Sequence, residues 1–181
     1  HLLTLGWITM TIMGASFQLV PVALETTLYS ERLARWQFWI MLLGVTAMVG
    51  HFWIGRHAGM AFGAGLVLVA VILHVINMGR TLWKLPRWDI VAQHVAAALT
   101  YLAATAVMGN LMALDKIFDF LGGQVLRTIH AHAHLAGIGW VTMMIFGASY
   151  KLIPMFSLGE LRDLRLARWL LMSQDRAHAN G

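Results

Sequence analysis

Five apolar runs, each about as long as a bilayer is thick, follow one another along the chain with only short polar joints between them. A helix needs about 20 apolar residues to cross the hydrocarbon core, and such runs fall at about 2–24, 36–55, 59–79, 89–114 and 125–156. Joints such as YSERLAR, GRHAG and GRTLWKLPRWD are short, which makes successive helices antiparallel neighbours. The fold expected is therefore an all-α, polytopic transmembrane helical bundle. At 59% hydrophobic and 12% charged residues, with a mean hydropathy of +0.69, the chain has more apolar surface than one soluble core of 181 residues can hide. No linker, low-complexity run or soluble domain stands out, so residues 1–181 read as a single integral-membrane domain.

Thirteen Lys and Arg stand against eight Asp and Glu, but their placement follows topology and gives no case for nucleic acid. Arg32 and Arg35 lie between the first two runs, and Arg80, Lys84 and Arg87 between the third and fourth. Arg162, Arg165, Arg168 and Arg176 follow the fifth, while the alternate joints hold only Arg56, Lys116 and Arg127. By the positive-inside rule the first set is cytoplasmic, so helices one, three and five run inward and the fifth begins near the outer face. Arg32, Arg35, Arg165 and Arg168 are topology determinants in this reading, with anionic lipid headgroups as alternative partners. Trp36, Trp83, Trp88 and Trp169 read as interface anchors.

The absence of cysteine excludes disulfides, thiolate haem ligands and cysteine-bound iron–sulfur clusters. Twelve methionines invite a Cu(I)-transport reading. Met10, Met13, Met143 and Met144, however, sit on apolar helical faces where Met fills packing gaps. LGG at 121–123 lacks the Lys-Ser/Thr of a phosphate loop, and no hydrolase nucleophile appears. No initiator Met or signal peptide is present and His1 already lies within a membrane pattern, as expected of a fragment.

Sliding the sequence along itself by 133 residues aligns HLLTLGWITMTIMGASFQLVP, from His1, with HLAGIGWVTMMIFGASYKLIP, from His134, and the match runs on to RLARW at Arg32 and Arg165. Eighteen of 36 aligned positions are identical. The pattern reads as a four-helix repeat unit, 1–133, followed by the first helix of a second, 134–169. His1 and His134 thereby become equivalent positions on helices running the same way. Ionisable groups within a bilayer are costly and by default functional. Two imidazoles at one depth can ligate both faces of a haem iron, the alternative being hydrogen bonding across the bundle. Gly6 and Gly139, with Gly14 and Gly147, would admit a flat macrocycle or a neighbouring helix. Trp7 and Trp140 are placed to pack on a haem edge and Arg127 to pair with a propionate.

In TIHAHAHLAGIGWV, side chains two apart on a helix differ by about 200° and those four apart by about 40°. His130 and His134 therefore share a face, and His132 points to the opposite flank, placed for a second metal centre. His130 reads either as a propionate or metal partner or as an interfacial residue. His51, near the outer end of the second helix, is either a copper ligand or interfacial.

The run HAHLAGIGWVTMMIFGASYKLIP resembles a late helix of subunit I in haem-copper oxidases of the C family, the high-affinity oxygen reductases related to nitric oxide reductases. The resemblance rests on His132, His134, Gly139, Trp140, Gly147, Ala148, Tyr150 and Pro154; it is strongest there and weakest across helices two to four. It implies that His132 binds a high-spin haem and His134 a low-spin haem b, with His1 as the second low-spin ligand. It also implies electron transfer toward oxygen or nitric oxide, other respiratory subunits, a cytochrome c or quinol donor, and a bacterial inner (plasma) membrane. The chain departs from the family in having fewer helices, no adjacent His-His pair for copper and no candidate for the cross-linked Tyr, so copper is weakly supported.

His74 and His94 flank the joint between helices three and four, as an inner haem pair or as a polar pair joining the two helices. Three functions follow: a haem b membrane redox protein, a non-catalytic haem- or copper-binding assembly subunit, or an electron carrier with haems at both levels. A four-helix unit plus one helix leaves an open arc, consistent with a homo-oligomer.

Overall fold

The computed structural model describes residues 1–157, all helices and short turns with no strand among them. Five helices are long and apolar enough to span a membrane: α1 (Leu2–Ala23), α2 (Glu31–Trp53), α3 (His57–Leu82), α4 (Ile90–Phe118) and α5 (Gly122–Ser157). This is the number and order expected. Arg162, Arg165, Arg168, Trp169 and Arg176 lie outside the described residues.

The main difference is at α2, which starts at Glu31, five residues before the apolar run. Its entry is built by polar groups that hydropathy does not register. The Ser30 hydroxyl caps the helix by accepting from the Leu33 amide at 3.2 Å. The buried Asn77 of α3 then grips the backbone of Ser30, its Oδ1 accepting from N–H at 2.9 Å and its Nδ2 donating to C=O at 2.8 Å. One turn on, Thr81 Oγ1 accepts from the Tyr29 amide. Asp89 caps α4 by accepting from Ala92 N–H at 2.8 Å.

Neighbours in sequence are neighbours in space: α2 packs on α3, α3 on α4 and α4 on α5, while α1 closes the bundle against α2 and α5. Met13, Met41, Val71, Met78, Val95 and Met143 are among the buried residues of its core. The α2–α3 crossing is close because both sides are glycine there. A Cβ on Gly44 would lie 2.8 Å from the Val67 nitrogen, and one on Gly63 would overlap the Met48 backbone. Large apolar side chains such as Leu3, Phe52, Phe62 and Ile145 are exposed, as expected where lipid replaces water outside a bundle.

Local structure repeats with the sequence. Leu2–Thr9 of α1 and Leu135–Thr142 of α5 are both π-helical, at positions 133 apart, and each passes into α-helix at Met10 and Met143. The His1 carbonyl accepts from both Leu5 and Gly6 N–H, and Thr142 Oγ1 donates to the Gly137 carbonyl five residues back. Pro21 and Pro154 lie inside the helices at the same offset. Short π segments are rare and concentrate at functional sites; here each begins one residue after a histidine singled out above.

Candidate haem site

The antiparallel order gathers His1, His51, His57, His130, His132 and His134 at one end of the bundle. His130, His132 and His134 lie on the α-helical stretch Val125–His134 that opens the membrane portion of α5. They take the two flanks expected of a helix. His132 turns inward and is half-buried; its ring lies over Gly109 of α4, where a Cβ would come within 2.9 Å of Cε1. The Thr105 backbone lies near its ring, and its buried Nδ1 completes no hydrogen bond among the described residues.

The ring that His1 approaches is that of His132, with centroids 6.4 Å apart and planes within 26°. Metal–nitrogen bonds of about 2 Å on each side would put two imidazole centres about 6 Å apart. The two rings are stacked, so a metal shared between them would need one ring to turn its nitrogen toward the other. His134 turns outward and is exposed. Its Nδ1 lies 2.8 Å from the His130 carbonyl, and because a carbonyl only accepts, Nδ1 carries the proton. The Nε2 lone pair is left facing away from the bundle, the arrangement in which a second hydrogen bond orients a metal-ligating histidine. His132 and His134 therefore present imidazoles on opposite flanks of α5, the first stacked on the ring of His1 and the second exposed.

The remaining expected residues are placed as follows. His130 and Arg127 are exposed on α5 at the same end. His51 hydrogen-bonds its own helix through Nδ1, 2.7 Å from the Ala47 carbonyl. Its ring occupies the space a side chain on Gly59 would need, beside a cavity of about 490 Å3 that Arg56 and His57 also line. His57 was not singled out in the sequence because it falls in a short joint rather than an apolar run. Among the described residues no group of three or more His, Cys, Asp or Glu side chains comes together to hold a metal.

Repeat-equivalent side chains meet different surroundings. Trp140 is 1% exposed and Trp7 is 70% exposed. Trp140 meets the His74 ring edge-on at 6.0 Å. Gly139 lies against Tyr101 and Gly147 against the Cβ of His94, both on α4, whereas Gly14 has nothing near it. In α5 the glycines thus admit a neighbouring helix. His74 and His94 are both fully buried and each has a ring contact with α5. His74 meets Phe17 of α1 and Trp140 of α5, and neither of its ring nitrogens has a hydrogen-bond partner among the described residues. His94 bonds the Ile90 carbonyl through Nδ1 and meets the Tyr150 ring of α5 at 5.0 Å.

Gly109, Thr105 and Tyr101, which shape the α4 side of this region, were missed in the sequence. The only available signal was Gly109 breaking the Ala-rich run of α4, and a lone glycine has several readings.

No family profile matches the chain. The Cbb3-type cytochrome c oxidase subunit CcoN1 of Stutzerimonas stutzeri is 27% identical over 163 residues, covering 82% of this chain and 33% of the relative. The cytochrome c oxidase subunit 1 homolog of Agrobacterium tumefaciens (strain T37) is 25% identical over 180 residues, covering 90% of this chain and 32% of the relative. Cytochrome c oxidase subunit 1 of Rhodobacter capsulatus is 25% identical over 174 residues, with the same coverage. The chain spans about a third of the length of the curated relatives it matches. The chain is thus similar along most of its length to part of subunit I of cytochrome c oxidases, and it is a multi-pass membrane protein with five helices long and apolar enough to span a membrane.

Proposed function

We propose that this chain is the haem-binding part of a membrane redox protein, moving electrons toward a terminal acceptor such as oxygen or nitric oxide. The observation that carries the reading is the constellation on α5: His132 facing His1 at 6.4 Å and His134 presenting Nε2 outward from a proton-fixed tautomer. His1, His132 and His134 are the residues that would hold haem iron. Bound there, haem b supplies reversible one-electron chemistry.

The protein's own contribution is positional. The His130 carbonyl fixes the His134 tautomer and orients its ring. Gly109 leaves room for the His132 ring. The apolar helices exclude water, which raises the influence of nearby charge on the potential. Arg127, exposed at the same end, is available to pair with a propionate. Matching π segments after His1 and His134 support a duplicated unit in which two histidines carry related duties. The distribution of basic residues supports an orientation with this end at the outer face of a bacterial inner membrane. Its partners would be further respiratory subunits and a cytochrome c or quinol donor.

The test is a reduced-minus-oxidised absorption spectrum of the haem-supplied, detergent-purified chain, with haem counted per protein. Low-spin b-type bands in the wild type and their loss in His134→Ala are expected. Bands retained in His134→Ala overturn the ligand assignment. A flat spectrum from folded wild type favours the assembly-subunit reading.

A further inference from the structure

At the other end of the bundle, Arg32, Arg35, Trp36 and Trp39 frame a hollow of about 340 Å3 near the start of α2. Their spacing of three, four and seven places them on one helical face. The two indoles are 56% and 57% exposed. Neither guanidinium has an ion pair or hydrogen bond among the described residues, where the ion pair present joins Lys151 and Glu25. Two uncommitted cationic forks thus sit above two exposed indoles at the end of a membrane-spanning helix.

We infer that this hollow binds the phosphate of an anionic phospholipid, gripped by Arg32 and Arg35, with its glycerol and upper acyl segments against Trp36 and Trp39. The planar guanidinium matches phosphate oxygens two at a time, which a lysine ammonium does not. Indoles settle at headgroup depth with the ring body toward hydrocarbon, so a phosphate held by the arginines places the rest of the lipid on them. Anionic lipid supplies the opposite charge where basic residues gather near the membrane surface.

A second, independent observation comes from the repeat. All five residues of Arg32-Leu33-Ala34-Arg35-Trp36 recur at 165–169, although positions 22–27 and 29–31 just before them have all diverged from 155–160 and 162–164. A topology signal needs positive charge in the joint, not arginine at both positions followed by tryptophan. Retention of the whole element is what a shared ligand chemistry requires.

The experiment is native mass spectrometry of the detergent-solubilised chain with phosphatidylglycerol and phosphatidylcholine. It is performed in an Arg165→Gln, Arg168→Gln background so that the second copy of the element does not contribute. Phosphatidylglycerol is expected to stay bound in preference to phosphatidylcholine, and Arg32→Gln with Arg35→Gln to lower its retention by about tenfold or more. Arg32→Lys with Arg35→Lys keeps the joint's charge, and so its topology, yet retains less lipid than the parent; it serves as the readout if the glutamine variant does not fold. Inorganic phosphate at millimolar concentration leaves the lipid in place. Equal retention of the two lipids, undiminished phosphatidylglycerol in both double variants, or displacement by inorganic phosphate would each overturn the inference, the last by assigning the arginines to a soluble anion.

Discussion

Gly109 of α4 lies under the His132 ring, and a methyl group there tests the geometry of the proposed haem site without removing any ligand. The added Cβ would sit 2.9 Å from His132 Cε1, 3.5 Å from Nδ1 and 3.7 Å from Nε2, where ordinary contact begins near 3.4 Å. Gly109→Ala therefore asks the ring to retreat by about 0.5 Å or to turn about χ2, at a cost of about 0.5–1.5 kcal/mol for an off-rotamer side chain. Alanine is the better helix former by up to about 1 kcal/mol, so the two effects nearly cancel and the fold survives. The His1–His132 spacing of 6.4 Å does not. In the haem-loaded protein the bands lost in His132→Ala should shift or broaden in Gly109→Ala, with those lost in His134→Ala unchanged, while the thermal melt stays within a few degrees. A wild-type spectrum in Gly109→Ala, alongside an altered one in His132→Ala, refutes the placement of the ring.

Two further predictions concern the bundle itself. Gly63→Ala drives a methyl into the Met48 backbone and should destabilise the α2–α3 crossing by about 1–3 kcal/mol, while Gly65→Ala on the same helix has open space and should be near neutral; both are read by denaturant titration in mixed micelles, and equal effects would refute the crossing. Asn77→Ala strands the amide and carbonyl of Ser30, a loss of about 1–3 kcal/mol given that Ser30 is only half-buried. The same titration measures it, with hydrogen exchange at the α1–α2 turn rising ahead of the rest of the chain if the clasp is local.

Much of the architecture was legible because lipid is a severe solvent. Helices that must satisfy their own backbone announce themselves by length and hydropathy, and short joints leave only antiparallel neighbours. The His-x-His flanks were legible too, since helical geometry alone sends His132 and His134 to opposite sides. The start of α2 was not, because Ser30, Asn77 and Thr81 act across 47 to 52 residues of sequence, and hydropathy has no memory at that range.

By itself the sequence determined that this is a transmembrane bundle, that its first and fifth helices are related, and that histidines gather at one end. Only the tertiary structure decided which of them meet. Equivalence under the repeat paired His1 with His134, yet α1 packs on the bundle so that the His1 ring faces His132. Likewise Trp7 and Trp140 share a sequence context but not a neighbour, one exposed and the other sealed against His74. A repeat copies a helix and its local twist, as the two π segments show. It does not copy the helices packed around it, and those settle which face is buried and which is exposed.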